Sequence, residues 1–167
     1  MRAVANAGPL IHLSWIGRLG ILTELFEEVL VPPAVRDEVL RAGPHVPGIA
    51  ALRVAFSSGW LTVRPLEDPL AAGDVSHDLD PGEFEAIALM REVEAGVLLL
   101  DDRRARATGE RLGLPLTGTV GILRAARQRG LVPAVVPILE ELRRLGFRIS
   151  DGLVDDLRRE EGTNDSS

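Results

Sequence analysis

Two adjacent carboxylates, Asp101 and Asp102, close the apolar run Val97 to Leu100 and are followed at once by Arg103, Arg104 and Arg106. Carboxylate oxygens suit a hard divalent cation, and guanidinium groups beside them suit phosphate. Successive strand residues point to opposite faces, so only one of the two aspartates faces a cleft directly. The other is placed to cap the helix that begins near Arg103, because a carboxylate accepts the unpaired N–H groups there and complements the dipole. Capping accounts for one aspartate and leaves the second to be explained. Two further acids can converge on the same place. Glu83 lies in the first turn of a helix whose buried stripe is Ala86, Met90 and Val93, and it sits closer to that stripe than Glu85 does. Glu38 falls between Val35 and Val39 on a short helix, while Asp37 points elsewhere.

The elements that must position these side chains follow from periodicity. "RAVAN" is a short apolar strand ending at Asn6, where Gly8-Pro9 opens a helix. "IGRLGILTELFEE" (residues 16–28) reads as a helix, "VLVPP" as a buried strand and "PAVRDEVLRA" as a helix with Pro33 near its start. "PGIAALRVAFSSG" and "WLTVRPL" continue as helix and strand, and the Gly- and Asp-rich residues 67–82 form a loop. The remaining helices are "GEFEAIALMREVEA", "RRARATGERLG", "TVGILRAARQRG", "AVVPILEELRRLG" and "SDGLVDDLRREEG", the last opened by Ser150 or Asp151 as N-cap. "GVLLLDD" and "LPLTG" are strands, the first apolar throughout, as in a parallel sheet covered on both faces. This alternation predicts an α/β fold, a three-layer α/β/α sandwich around a mostly parallel sheet. In such sheets ligands bind beyond the carboxyl ends of the strands. The residues there are Asn6, Asp101 with Asp102, and Thr117 to Thr119.

Composition narrows the chemistry. A chain of 167 residues with 46% hydrophobic side chains fits one domain, expected over residues 1–161, with 162–167 as a disordered tail. There is no cysteine, so thiolate metal sites and cysteine nucleophiles are excluded. No basic leader and no run of about 20 apolar residues appears, which predicts a soluble cytoplasmic protein without membrane attachment. All nineteen basic side chains are arginine. Without lysine, neither a receiver-domain switch nor a P-loop is available, and no G-x-G-x-x-G follows a strand. The net charge of −6 is unevenly spread. Residues 1–100 hold seven arginines against fourteen acids, and residues 103–129 hold seven arginines against Glu110 alone. An acidic cluster beside a basic face is the layout expected where a metal ion meets a phosphate backbone. His12, His45 and His77 share no zinc-binding spacing and read as structural or solvated. Trp15, Trp60 and four Phe are too scattered for a base-stacking platform.

Asn6, Glu38, Glu83 and Asp102 together recur in the order and approximate spacing of a known pattern. The stretches "VANAGPLIHL", "ELFEEVLVPPAVRDEVL", "LDPGEFEAIAL", "LLLDDRRARATGERLGLPLTGTVGIL" and "GFRISDGLVDDL" make the sequence resemble the PIN domain, with the nearest likeness to VapC-type toxins of bacteria and archaea. The likeness covers nearly the whole chain and is weakest over residues 44–78.

The resemblance implies a metal-dependent ribonuclease, the toxin of a toxin-antitoxin pair, acting with Mg²⁺ or Mn²⁺ and forming homodimers. It places the family's first acid on Asn6, the second on Glu38, the third on Glu83 with Glu85 as the alternative, and the fourth on Asp102 with Asp101 as the alternative. Thr119 is a further candidate, and Arg103, Arg104 and Arg106 would hold flanking RNA phosphates. Where the family places a Ser or Thr shortly after its first acid, Ala7 and Gly8 stand here. In-line phosphodiester cleavage needs charge neutralisation, a positioned water and help to the leaving oxygen, which one or two hard cations supply. Crowded carboxylates repel one another without a cation, so the cluster selects for one. Asn6 carries no charge, so a competing reading is a PIN-fold module that has weakened its nuclease and binds RNA or protein. A phosphatase acting on small phosphomonoesters is a third reading. The apolar faces of Ile16 to Phe26 and Ile138 to Leu145 are candidates for pairing with a second copy, and an antitoxin segment would block the cleft.

Overall fold

The computed structural model describes residues 1–164, apart from the side chains of residues 70, 71 and 164. The chain divides into two compact units, the first Met1–Thr119 and the second from Val120 onward. The first unit holds the whole sheet. Its strands are β1 (Arg2–Ala5), β2 (Glu28–Val31), β3 (Leu61–Val63), β4 (Val97–Leu99) and β5 (Leu116–Thr117), in the order β3-β2-β1-β4-β5, with every neighbouring pair parallel. Its helices are α1 (Ala7–Trp15), α2 (Ile21–Leu25), α3 (Pro33–Leu40), α4 (Ile49–Ser57), α5 (Pro81–Val93) and α6 (Arg103–Arg111), with a 3-10 turn at Pro69–Ala72.

Consecutive residues of the inner strands are buried: Ala3, Val4 and Ala5; Val29, Leu30 and Val31; Leu98, Leu99 and Leu100. Because neighbouring strand residues face opposite ways, burial of every one means that both faces are covered, as a three-layer α/β/α arrangement requires.

The sheet has a switch point between β1 and β4. From β1 the chain moves outward through β2 to β3, then returns to the other side of β1 and proceeds to β5. Loops leaving the carboxyl ends of β1 and β4 therefore diverge and open a crevice, the place where parallel sheets bind ligands. Register fixes what lines it. Ala5 pairs with Leu99, the Asn6 N–H donates to the Leu99 carbonyl at 2.9 Å, and the Leu100 N–H donates to the Thr117 carbonyl at 2.9 Å. Asn6, Asp101 and Gly118 thus leave the sheet at one level.

The helix α5 shows how sequence positions an acid. Asp80 is its N-cap, Pro81 is its first residue, and Asp80 and Glu83 form a reciprocal capping box. Ala86, Ile87, Leu89, Met90 and Val93 are buried, and full burial of Ile87 and Leu89 contributes roughly 1.5–3 kcal/mol each. α5 packs on α3, and its first turn is thereby pressed against the helix that carries Glu38.

One expected element is corrected. The helix over residues 16–28 exists only as the five-residue α2. Gly17 adopts a left-handed conformation (φ 66°) that interrupts the helix after Trp15, and Glu28 is drawn into β2 opposite Arg2. Elsewhere the strands are shorter than their apolar runs, β4 ending at Leu99 rather than at the aspartates.

The second unit contains α7 (Thr119–Gln128, which opens on the last residue of the first unit), α8 (Val136–Arg144) and α9 (Asp151–Asn164). α8 packs on α9, and Leu139, Leu142, Val154 and Leu157 are buried. The Ser150 hydroxyl accepts from the Leu153 N–H at 3.2 Å, so Ser150 serves the cap position of α9. That helix passes the expected boundary at 161: Glu161 Oε2 accepts from the Val136 N–H, and the Thr163 hydroxyl donates to the Arg159 carbonyl at 2.7 Å. The rest of the expected tail, residues 165–167, lies outside the described residues. Of the two apolar stretches considered for self-association, Leu19, Ile21, Leu22 and Leu25 are buried, as are Ile138, Leu139 and Leu142, whereas Ile16 and Phe26 are half-buried and Leu145 is exposed. No described helix is long and apolar enough to cross a membrane.

Candidate functional site

Asn6 follows β1 directly and precedes the first residue of α1. It is only 6% exposed, and its Oδ1 is buried without a hydrogen-bond partner among the described residues. A buried amide oxygen left unpaired costs about 1–3 kcal/mol, so its presence asks for an occupant. Glu38 approaches the same space. A Cβ at Gly82 would lie 2.9 Å from Glu38 Oε2 and 3.5 Å from Asn6 Oδ1, so the lack of a side chain at Gly82 leaves both oxygens room on one side of the first turn of α5. Burial pushes the Glu38 carboxyl above its ordinary range, the Asp80 charge adds to this, and Arg41 opposes it.

Glu83 belongs to the same group. Burial raises its carboxyl, a backbone hydrogen bond from Asp80 lowers it, and the charges of Asp80, Asp102 and Glu38 raise it further. The net shift is upward. Its Oε2 accepts from the Asp80 N–H at 3.2 Å, which leaves Oε1 without a partner among the described residues. Asp102 is exposed and caps α6, its Oδ1 accepting from the Ala105 N–H at 2.9 Å. Neighbouring acids thus raise the proton affinity of Glu38 and Glu83, and Glu38 shares with the unpaired amide oxygen the space left by Gly82. Among the described residues, however, no three His, Asp or Glu side chains stand in a ready-made ligating arrangement.

Asp101 does something else. Its Oδ1 accepts from the Thr119 N–H at 2.7 Å, and its Oδ2 accepts from the Thr119 hydroxyl at 2.6 Å and lies 2.8 Å from His12 Nδ1. Burial would raise its carboxyl, but these hydrogen bonds and the His12 charge outweigh burial and hold it below the ordinary range. Glycines pack around it: a Cβ at Gly118 would come within 2.6 Å of Asp101 Oδ1, and one at Gly8 within 3.2 Å of Asp101 Cβ. A hydroxyl side chain at position 8 would crowd this node, which fits the glycine found there.

The other candidates have local employment. Glu85 Oε2 accepts from the Ala34 N–H at 2.9 Å and so anchors the start of α3. Arg106 Nη1 donates to the Leu100 carbonyl at 2.9 Å, and Arg104 Nη2 donates to the Asp78 carbonyl at 2.9 Å. Arg103 is exposed at the first turn of α6. Two participants escape the sequence reading. Asp80 was visible as the first member of an Asp-x-x-Glu capping box, whereas His12 meets Asp101 across 89 residues and leaves no local signal.

The molecule is thus a parallel α/β protein with acids gathered at the switch point of its sheet, the layout of a site for cations or phosphates. Its family is also defined: the PIN domain family model (DUF3368) matches residues 2–162, and the chain belongs to that family. PIN domains are in general metal-dependent nucleases. Among solved structures, the chain is similar to a PilT N-terminus domain protein from the hyperthermophilic archaeon Sulfolobus solfataricus P2, at 15% identity and a TM-score of 0.54 over 75% of this chain and 93% of the other. At that identity the likeness concerns the fold. No curated protein matches the sequence.

Proposed function

We propose that this PIN domain is a ribonuclease dependent on Mg²⁺ or Mn²⁺, with its cleavage site at the carboxyl ends of β1 and β4. The observation that carries this reading is the orphaned Oδ1 of Asn6, which shares the space at Gly82 with Glu38 Oε2, on an acid whose proton affinity is raised. Such a grouping fits a hard cation, with Asn6 and Glu38 as its inner holders and Glu83 and Asp102 at its rim. When bound, the cation supplies neutralisation of the phosphate charge and of the departing oxygen. The chain's own groups supply the rest. Glu83 Oε1, on a carboxyl whose proton affinity burial and neighbouring charges raise, is the atom we assign to take the proton of the attacking water. Arg103 and the N-terminus of α6 hold a flanking phosphate. Asp101 joins the site only by anchoring the backbone that leads into Asp102.

A toxin role opposite a cognate antitoxin, in a homodimer within the cytoplasm, is supported by family likeness. A second reading, a PIN domain that binds RNA or a protein without cutting, is favoured by the neutral amide at Asn6 and by the lack, among the described residues, of a ready-made set of three acidic or histidine ligands. Incubating the protein with structured RNAs and Mn²⁺ separates the two. The nuclease reading expects cleavage that falls at least a hundredfold in Glu83→Gln and in Asp102→Asn. Cleavage that survives both changes would overturn it, and an uncut but bound RNA would establish the second reading.

A further inference from the structure

Beside the acid rim the first unit contains a cavity of about 440 Å³. Its walls include Pro33 at the start of α3, Pro81, Phe84 and Glu85 in the first turns of α5, and His77 and Leu79 from the loop before that helix. The rings of His77 and Phe84 stack, with centroids 6.1 Å apart and planes inclined by 17°. Phe84 is thus backed by the His77 imidazole, and both rings of this parallel pair line the cavity. Phe84 follows Glu83 directly, so this pair and the acid rim share one helical turn. Arg104, which donates to the Asp78 carbonyl, fixes a cation beside the residue next to His77. Within the cavity, Glu85 Oε2 is taken by the Ala34 N–H, while Oε1 has no partner among the described residues.

We propose that this cavity receives one unstacked nucleobase of a single-stranded RNA, adjacent to the phosphate at the acid rim. The inference rests on the ribonuclease reading above and adds a specificity-determining subsite to it. Planar aromatic groups are the usual support for a splayed base, whose edge is then read by hydrogen bonds. Here the His77–Phe84 pair offers the support, prolines keep the walls rigid, and the cavity has ample room for one base. Glu85 Oε1 offers an acceptor and no donor, which favours bases that present an exocyclic amino group over uracil, whose single N3–H is flanked by two carbonyl oxygens that the carboxylate repels. A peptide segment of an apolar partner could use the proline walls, but it would leave the stacked pair, the free carboxylate oxygen and the neighbouring guanidinium without a role.

The test uses the full chain with Ca²⁺ in place of Mn²⁺ and five-nucleotide RNAs that differ only at the central position, including one without a base there. Fluorescence anisotropy should show the abasic RNA binding about tenfold more weakly than the adenine, cytosine or guanine RNAs. His77→Ala should erase that difference, His77→Phe should restore it, and Glu85→Gln should remove the discrimination against uracil. Equal binding of abasic and base-containing RNAs, or discrimination unchanged in His77→Ala, would overturn the subsite alone if the protein still cuts RNA in a Glu83-dependent manner. A protein that neither binds nor cuts any RNA would overturn the ribonuclease reading together with the subsite. Capture of a peptide by the cavity without any base dependence counts against the inference.

Discussion

Two groups of carboxylates leave the same end of the sheet, and they are finished differently. Around Asp101 each oxygen has partners: Thr119 donates twice, His12 lies at 2.8 Å, and two glycines leave space for nothing larger. Its carboxyl is held below the ordinary range. Around Asn6 the reverse holds, with a buried oxygen unpaired and the Glu38 and Glu83 carboxyls pushed upward. A closed hydrogen-bonded node stabilises the folded chain, whereas an unpaired buried oxygen beside acids of raised proton affinity destabilises it. The difference separates an aspartate committed to the fold from residues whose oxygens stay open to an occupant.

Removing each acid should expose this difference. In urea denaturation without divalent cations, Asp101→Ala should lower the unfolding free energy by about 3 kcal/mol, since the buried Thr119 N–H and hydroxyl and the partly buried His12 lose their acceptor. Asp102→Ala should cost about 1 kcal/mol, the loss of an N-cap. Glu38→Gln should cost nothing or stabilise by about 0.5 kcal/mol, because it relieves repulsion at a half-exposed site. Equal losses at Asp101 and Glu38 would abolish the distinction.

The two groups should also pull stability in opposite directions as pH changes. Asp101 has a folded value below its unfolded one, near 3.9, so its contribution is complete above that value and is lost as pH falls through the folded value. Glu38 and Glu83 have folded values above their unfolded ones, near 4.3, so their protonated forms favour the fold below that pH. That benefit is lost as pH rises through the folded values. Measured in a chelator, the double change Glu38→Gln with Glu83→Gln should flatten the decline above about pH 4.3 and leave the acid limb intact. The expectation fails if the upper limb keeps its slope.

Much of this was legible in the sequence, for reasons that lie in particular residues. α5 was readable because its apolar stripe agrees with its tertiary packing, although its Asp80 cap went unread. The parallel sheet was readable because each inner strand carries three consecutive buried apolar residues. The helix over residues 16–28 was misread because its apolar spacing is helical, while Gly17 and the pairing of Glu28 with Arg2 are set by backbone conformation and a distant strand. For the adjacent aspartates, the sequence showed that one should cap a helix, and Asp102 does so. It could not show that Asp101 would be claimed by His12 and Thr119, because both contacts span long stretches of chain. The His77–Phe84 stack was hidden for the same reason, one ring lying in a loop and the other on a helix.

Isothermal titration of Mn²⁺ into the metal-free protein tests the central assignment most directly. If Asn6 Oδ1 and Glu38 hold the cation, Asn6→Asp should tighten binding at least tenfold by adding a unit charge at close range, and Glu38→Gln should weaken it by a similar factor. Affinities that match the unaltered protein in both variants would contradict the account.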